Sequence, residues 1–84
     1  MAGDLWYRAR TLESLGAAVA GIRGARGLTQ TELGARSGSS RPTISRIERG
    51  EPASDETVLQ ALAAMGYELV AVPRGAVLKV EKAS

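Results

Sequence analysis

GLTQTELGARSGSSRPTISRIERG, residues 27–50, is the stretch whose punctuation decides the fold. Thr29 and Glu32 stand three apart in the capping-box pattern, where hydroxyl and carboxylate each satisfy a free backbone N–H of the other, so a helix starts there. That helix is short, because Gly38 follows Ser37, and Ser39-Ser40 then supply a turn and a fresh N-cap. Pro42 is compatible with a first helical turn, where no intrahelical N–H bond is lost. A further helix from Arg41 to Arg49 would turn Ile44 and Ile47 inward, stop at Gly50, and carry Arg41, Arg46 and Arg49 on its other faces. Two helices joined by a short glycine-containing turn, the second short and basic, form the helix-turn-helix arrangement.

Upstream, Leu12, Leu15, Val19 and Ile22 recur at spacings of three and four, which places them on one face of a helix from about Thr11 to Ala25. Thr11 is its expected N-cap, Glu13 favours its positive end, and Gly24 and Gly27 weaken and end it. Downstream, Ser54 caps a helix whose Val58, Leu59, Leu62 and Met65 form an apolar stripe ending at Gly66. The period then changes. Glu68 to Val72 is rich in β-branched residues, and Val77 to Val80 follows Pro73-Arg74-Gly75, so a C-terminal strand, single or folded as a hairpin, is expected. An isolated ribbon is marginal in water, so these strands need the helical unit or a second chain. The predicted organisation is an N-terminal extension at 1–10, a helical unit at 11–66 and a strand segment with tail at 67–84. The fold class is mainly α, a compact domain of four to five helices.

The 84 residues, 44% hydrophobic and 24% charged, bound the chain to one small domain with one core. Cys and His are both absent, which excludes disulfides, thiolate nucleophiles, Cys/His zinc sites and Ser-His-Asp chemistry. No metal, cofactor or catalytic residue is expected; Ser39 and Ser40, with no His in the chain and no Lys near them, are caps. A small core without such staples favours oligomerisation. The formal charge is only +2, but residues 23–50 hold six arginines against Glu32 and Glu48, whereas Asp55, Glu56 and Glu68 are the only charges in 52–68. An anion would therefore bind mid-chain. No apolar run is long enough for a membrane span, and the N-terminus lacks a signal peptide's apolar stretch, so a cytoplasmic location is expected.

An α-helix fits the DNA major groove, and its N-terminal residues reach base edges while the preceding helix crosses the backbone. Gln30 and Arg41 to Arg46 are spaced for that work, and Arg is the usual bidentate partner of guanine. The run from Leu15 to Glu51, through its G-L-T-Q-x-E-L, S-G and T-I-S-R-I-E-R-G elements, resembles the Cro and lambda-repressor type of helix-turn-helix, the XRE family. Gly34 departs from that pattern, in which Ala is usual; glycine lowers helix propensity by roughly 1 kcal/mol but keeps close packing open.

The resemblance implies that Gln30 touches a phosphate and braces the third helix, that Ser40 and Thr43 offer hydroxyls to the DNA backbone, and that Arg41, Pro42, Ser45 and Arg46 face bases. From the residues alone, Pro42 reads as a helix-start residue ahead of an apolar contact with a thymine methyl. Arg49 joins the phosphate contacts; Arg26 and Arg36 read either as phosphate contacts or as solvated side chains. Arg23 and Glu48 map onto a structural ion pair. Met65 to Arg74, M-G-Y-E-L-V-A-V-P-R, is similar to HipB-like antitoxins, which implies that Leu69, Val70, Ala71 and Val72 pair across a homodimer. Trp6 and Tyr7 read as core or dimer packing rather than base stacking.

These readings converge on a homodimeric repressor of an inverted-repeat operator on double-stranded DNA, with no enzymatic activity. Its preferred subclass is an antitoxin that, with a HipA-like kinase toxin as partner, represses its own operon. A stand-alone regulator is the alternative. The rival from another class is a protein-interaction module that kept the fold and lost its DNA.

Overall fold

A computed structural model of the chain describes residues 6–81. Residues 1–5 of the expected N-terminal extension and residues 82–84 of the expected tail lie outside the described residues. Four helices follow in order: α1 Leu12–Ala25, α2 Gln30–Arg36, α3 Arg41–Glu48 and α4 Asp55–Ala64.

Each helix begins where a hydroxyl caps it. Thr11, Thr29, Ser40 and Ser54 accept from the backbone N–H three residues on, in Ser14, Glu32, Thr43 and Thr57. At α1 the capping box closes through Ser14, whose hydroxyl accepts from the Thr11 N–H at 3.0 Å. Each helix also ends alike, with a glycine at positive φ and a 6→1 backbone bond: Leu28 to Arg23, Ser39 to Gly34, Glu51 to Arg46 and Tyr67 to Leu62. α1 therefore runs through Gly24 and closes at Gly27, while α3 stops at Glu48 with Arg49 as its C-cap.

Val19, Ile22, Leu33, Ile44, Ile47, Val58, Ala61, Leu62 and Met65 form one buried cluster fed by all four helices. Burying such side chains stabilises by about 2 kcal/mol each before the entropy of ordering is charged. Two residues expected on the apolar faces are outside it: Leu12 and Leu59 are exposed at 48% and 46%. Leu12 is the first residue of α1, and Leu59 stands next to Val58, which takes the inward position on α4.

α3 packs on both α1 and α2, and α2 also meets α4. Small residues permit the first two approaches. A Cβ on Gly16 would lie 2.3 Å from the Ile47 carbonyl oxygen, and one on Gly34 would lie 2.8 Å from the Ser40 carbonyl carbon. Gly34 is thus the place where the N-terminus of α3 is seated on α2. Its propensity cost is offset by that close approach.

The expected C-terminal strand does not form: among the described residues no strand is present, and the backbone of 68–72 makes no ladder. The physical reason is the missing edge, since a strand needs a neighbour for its N–H and C=O groups and the helical unit offers none. A turn does form between the two segments, with Ala76 N–H donating to the Pro73 carbonyl at 3.1 Å. Leu69, Val70, Val72, Val77 and Val80 are left exposed. Nor are Trp6 and Tyr7 core residues, at 45% and 41% exposure, although the Tyr7 ring lies against Gly21 on α1.

Candidate nucleic-acid interface

α3 is a two-sided element. Ile44 is fully buried and Ile47 nearly so, whereas Arg41, Pro42 and Arg46 are exposed and Thr43 and Ser45 are partly exposed. The inward isoleucines set the rotation of the helix, so Arg41, Pro42, Ser45 and Arg46 fall on its outer side. Arg41 and Pro42 occupy the first turn. Ser40 caps that turn, and its hydroxyl also lies 3.0 Å from the Thr43 hydroxyl, so both expected backbone-contacting hydroxyls are joined in one exposed pair.

The inner end of α3 is held by Glu48. Its Oε2 accepts from Arg23 Nε at 2.6 Å, and its Oε1 accepts from Arg23 Nη2 and from Gln30 Nε2, each at 3.0 Å. Arg23 Nη1 donates to the Leu28 carbonyl at 2.8 Å. One guanidinium therefore ties α1, the α1–α2 turn and α3 together, and Gln30 adds α2. Burial raises the Glu48 pKa, but the hydrogen bonds from Arg23 and Gln30 and the charge of Arg23 together outweigh it, so the carboxyl is held below its ordinary value. The Arg23 pKa is raised, first through its hydrogen bond to Glu48. Among the described residues no buried side-chain nitrogen or oxygen lacks a partner.

Gln30 thus braces α3 through Glu48. Arg26, the C-cap of α1, is exposed and its guanidinium lies 5.7 Å from the centre of the Tyr67 ring, a cation–π contact. Arg36 lies exposed at the end of α2 and makes no ion pair among the described residues. Arg49 donates through Nε to Glu51 Oε2 at 2.6 Å and through Nη1 to the Ser45 hydroxyl. Arg46 Nε lies 3.7 Å from Glu51 Oε1. The arrangement brings Gln30, Ser40, Arg41, Pro42, Thr43, Ser45, Arg46 and Arg49 onto or beside α3. Arg26 stands apart from them, at the end of α1 against Tyr67.

Sequence reasoning overlooked Glu51. Its signal was positional: it follows the glycine that closes α3, so its backbone N–H returns to the Arg46 carbonyl and its side chain is held beside the last turn. Among the described residues no group of acidic side chains could hold a metal ion, and no helix is long and apolar enough to cross a membrane.

Comparisons with known proteins agree with this geometry. A family described as Helix-turn-helix matches residues 20–71. Among solved structures, the crystal structure of the clp gene regulator ClgR from Corynebacterium glutamicum is similar, with a TM-score of 0.65 and 33% sequence identity. The match covers 71% of this chain and 65% of that one, so this chain spans less than two thirds of the regulator's length. No curated protein matches.

Proposed function

The chain belongs to the XRE-type helix-turn-helix family, and from that premise we propose that it is a sequence-specific DNA-binding transcriptional regulator that inserts α3 into the major groove. The observation that carries this reading is the two-sidedness of α3. Ile44, Ile47 and the Glu48 clamp hold the helix to the body, while Arg41, Pro42, Ser45 and Arg46 are presented outward, its N-terminal turn included. Arg41 and Arg46 supply bidentate donors for base acceptors, and Ser45 and Pro42 supply a hydroxyl and an apolar contact. Gln30, Ser40, Thr43 and Arg49 meet phosphates and set the register, with Arg26 at their margin.

A second copy completes the reader. Leu69, Val70, Ala71 and Val72 are exposed, three of them large apolar side chains, and their backbone groups have no ladder among the described residues. These four are the dimer interface, and two recognition helices related by a two-fold axis read an inverted repeat with half-sites about one helical turn apart. Deletion of residues 68–84 is expected to yield monomers in sedimentation; a truncated dimer moves the interface to the helices. The subclass is an antitoxin-type repressor with a HipA-like kinase toxin as partner, a reading supported by the resemblance of residues 65–74. Co-purification with that class of kinase tests it, and repression with no protein partner returns the chain to a stand-alone regulator.

The deciding experiment is selection of bound duplexes from a random pool by the purified chain at near-physiological salt. Enrichment of a two-fold symmetric site, with affinity falling steeply as salt rises, is the expected outcome. A well-folded chain that enriches nothing, and whose partner binding is insensitive to salt, would be a protein-interaction module instead.

A further inference from the structure

All four helix ends of this domain share a backbone motif but differ in the residue that follows its glycine, which after α2 is the partly buried Ser39. After α1 and α4 that residue is apolar, Leu28 and Tyr67, and both pack against the core. An apolar contact at this place is the usual companion of the motif. After α3 it is Glu51, whose side chain is 45% exposed and charged. Instead its carboxylate spans Arg46 of the last turn and Arg49 at the C-cap, 2.6 Å from Arg49 Nε and 3.7 Å from Arg46 Nε. Gly50, at φ 78, carries the chain into that placement, and a Cβ there would lie 2.9 Å from the Glu13 Cα, so the turn requires glycine.

We infer that Glu51 is a specificity-determining residue, an internal anion that competes with DNA phosphates for Arg46 and Arg49 and so suppresses binding to non-cognate DNA. This rests on the DNA-binding reading above. Non-cognate binding is almost wholly phosphate electrostatics. A fixed carboxylate on the outer face removes positive charge from that term on every sequence alike, and it repels any phosphate that approaches Arg49. A cognate site offers Arg46 a pair of base acceptors in hydrogen-bond geometry, better than the 3.7 Å contact it gives up. The penalty is thus recovered at the right sequence and not elsewhere, which widens the difference that constitutes specificity. Arg41, which makes no ion pair among the described residues, stays available for the first encounter.

The test compares the full chain with Glu51→Gln and Glu51→Asp, measuring affinity by fluorescence anisotropy for its selected site and for a random-sequence duplex across a salt series. Glu51→Gln keeps the shape and removes the charge. Its affinity for random duplex should rise about fivefold, with a smaller gain at the selected site and a random-duplex salt slope steeper by about one phosphate contact. Glu51→Asp, which keeps the charge, should retain the wild-type ratio of selected to random affinity. Glu51→Ala, with the charge removed in another way, should reproduce the Gln result. Equal gains on both duplexes, or no change in ratio and slope in either neutral variant, would overturn the inference while leaving the DNA-binding reading intact. A wild-type chain that binds neither duplex overturns both.

Discussion

Glu48 and Glu51 sit three residues apart at the end of α3 and both contact arginine, yet the fold uses them in opposite ways. The Glu48 side chain is 8% exposed and the Glu51 side chain 45%. At Glu48 burial works against the charge, and hydrogen bonds from Arg23 and Gln30 plus the Arg23 charge keep it ionised, so removing either charged member leaves the other without its ion-pair partner. At Glu51 the hydrogen bond from Arg49 is the first cause of its lowered pKa, and the charges of Arg49 and Arg46 lower it further; an exposed pair of this kind is worth little to stability. The same pair of residue types is therefore a clamp on the inner side of α3 and an exchangeable contact on the outer side. Exposure decides which one breaks when a competing anion arrives.

That contrast can be broken most directly at Glu48. Glu48→Ala should cost about 3 kcal/mol, since Arg23 loses the partner of its buried end; an unchanged thermal unfolding curve would show that the clamp contributes nothing. Acid probes the same group without mutation. Because the folded pKa of Glu48 lies below its unfolded value, its contribution is complete above the ordinary carboxylate range and is lost as pH falls through the folded pKa. Glu48→Gln should flatten this acid limb, measured as melting temperature against pH, and an identical limb in the variant would assign it to other carboxyls.

On the outer side, Arg46→Ala should leave the melting curve nearly unchanged and cost roughly 2 kcal/mol at the cognate site, with relaxed preference at one base position. Equal losses on cognate and random DNA would make Arg46 a phosphate contact. A smaller effect is expected where the two sides meet. Gly34→Ala gains about 1 kcal/mol in helix propensity, but it forces a Cβ to within 2.8 Å of the Ser40 backbone. Relieving that overlap costs about 2 kcal/mol, leaving net destabilisation of about 1 kcal/mol. A more stable Gly34→Ala chain would show that the α2–α3 contact yields readily. Smallest of all, Glu51→Gln should leave the thermal unfolding curve nearly unchanged, and a large drop in melting temperature would make Glu51 structural.

Helix starts were legible because capping is local: Thr29 with Glu32, Ser40, and Ser54 each satisfy N–H groups within three residues of themselves. The inward pair Ile44 and Ile47 was legible from spacing. Less so were Leu12 and Leu59, which carry the right spacing but sit at a helix start and at the edge of a buried stripe. At the C-terminus the β-branched run from Leu69 to Val72 expresses a preference that only a neighbouring strand can realise, and no described segment of the chain supplies one.

By itself, then, the sequence determined the four helices and their stops, the absence of thiol and imidazole chemistry, and an arginine-rich short helix. Those follow from composition and from interactions spanning a few residues. Tertiary structure decided the rest: that Gln30 joins Arg23 on Glu48, that Gly16 and Gly34 are the contact points on which α3 rests, and that Glu51 lies between Arg46 and Arg49. These depend on distances between residues far apart in the chain or across a turn. Packing the isoleucines fixes those distances, and no local preference encodes them.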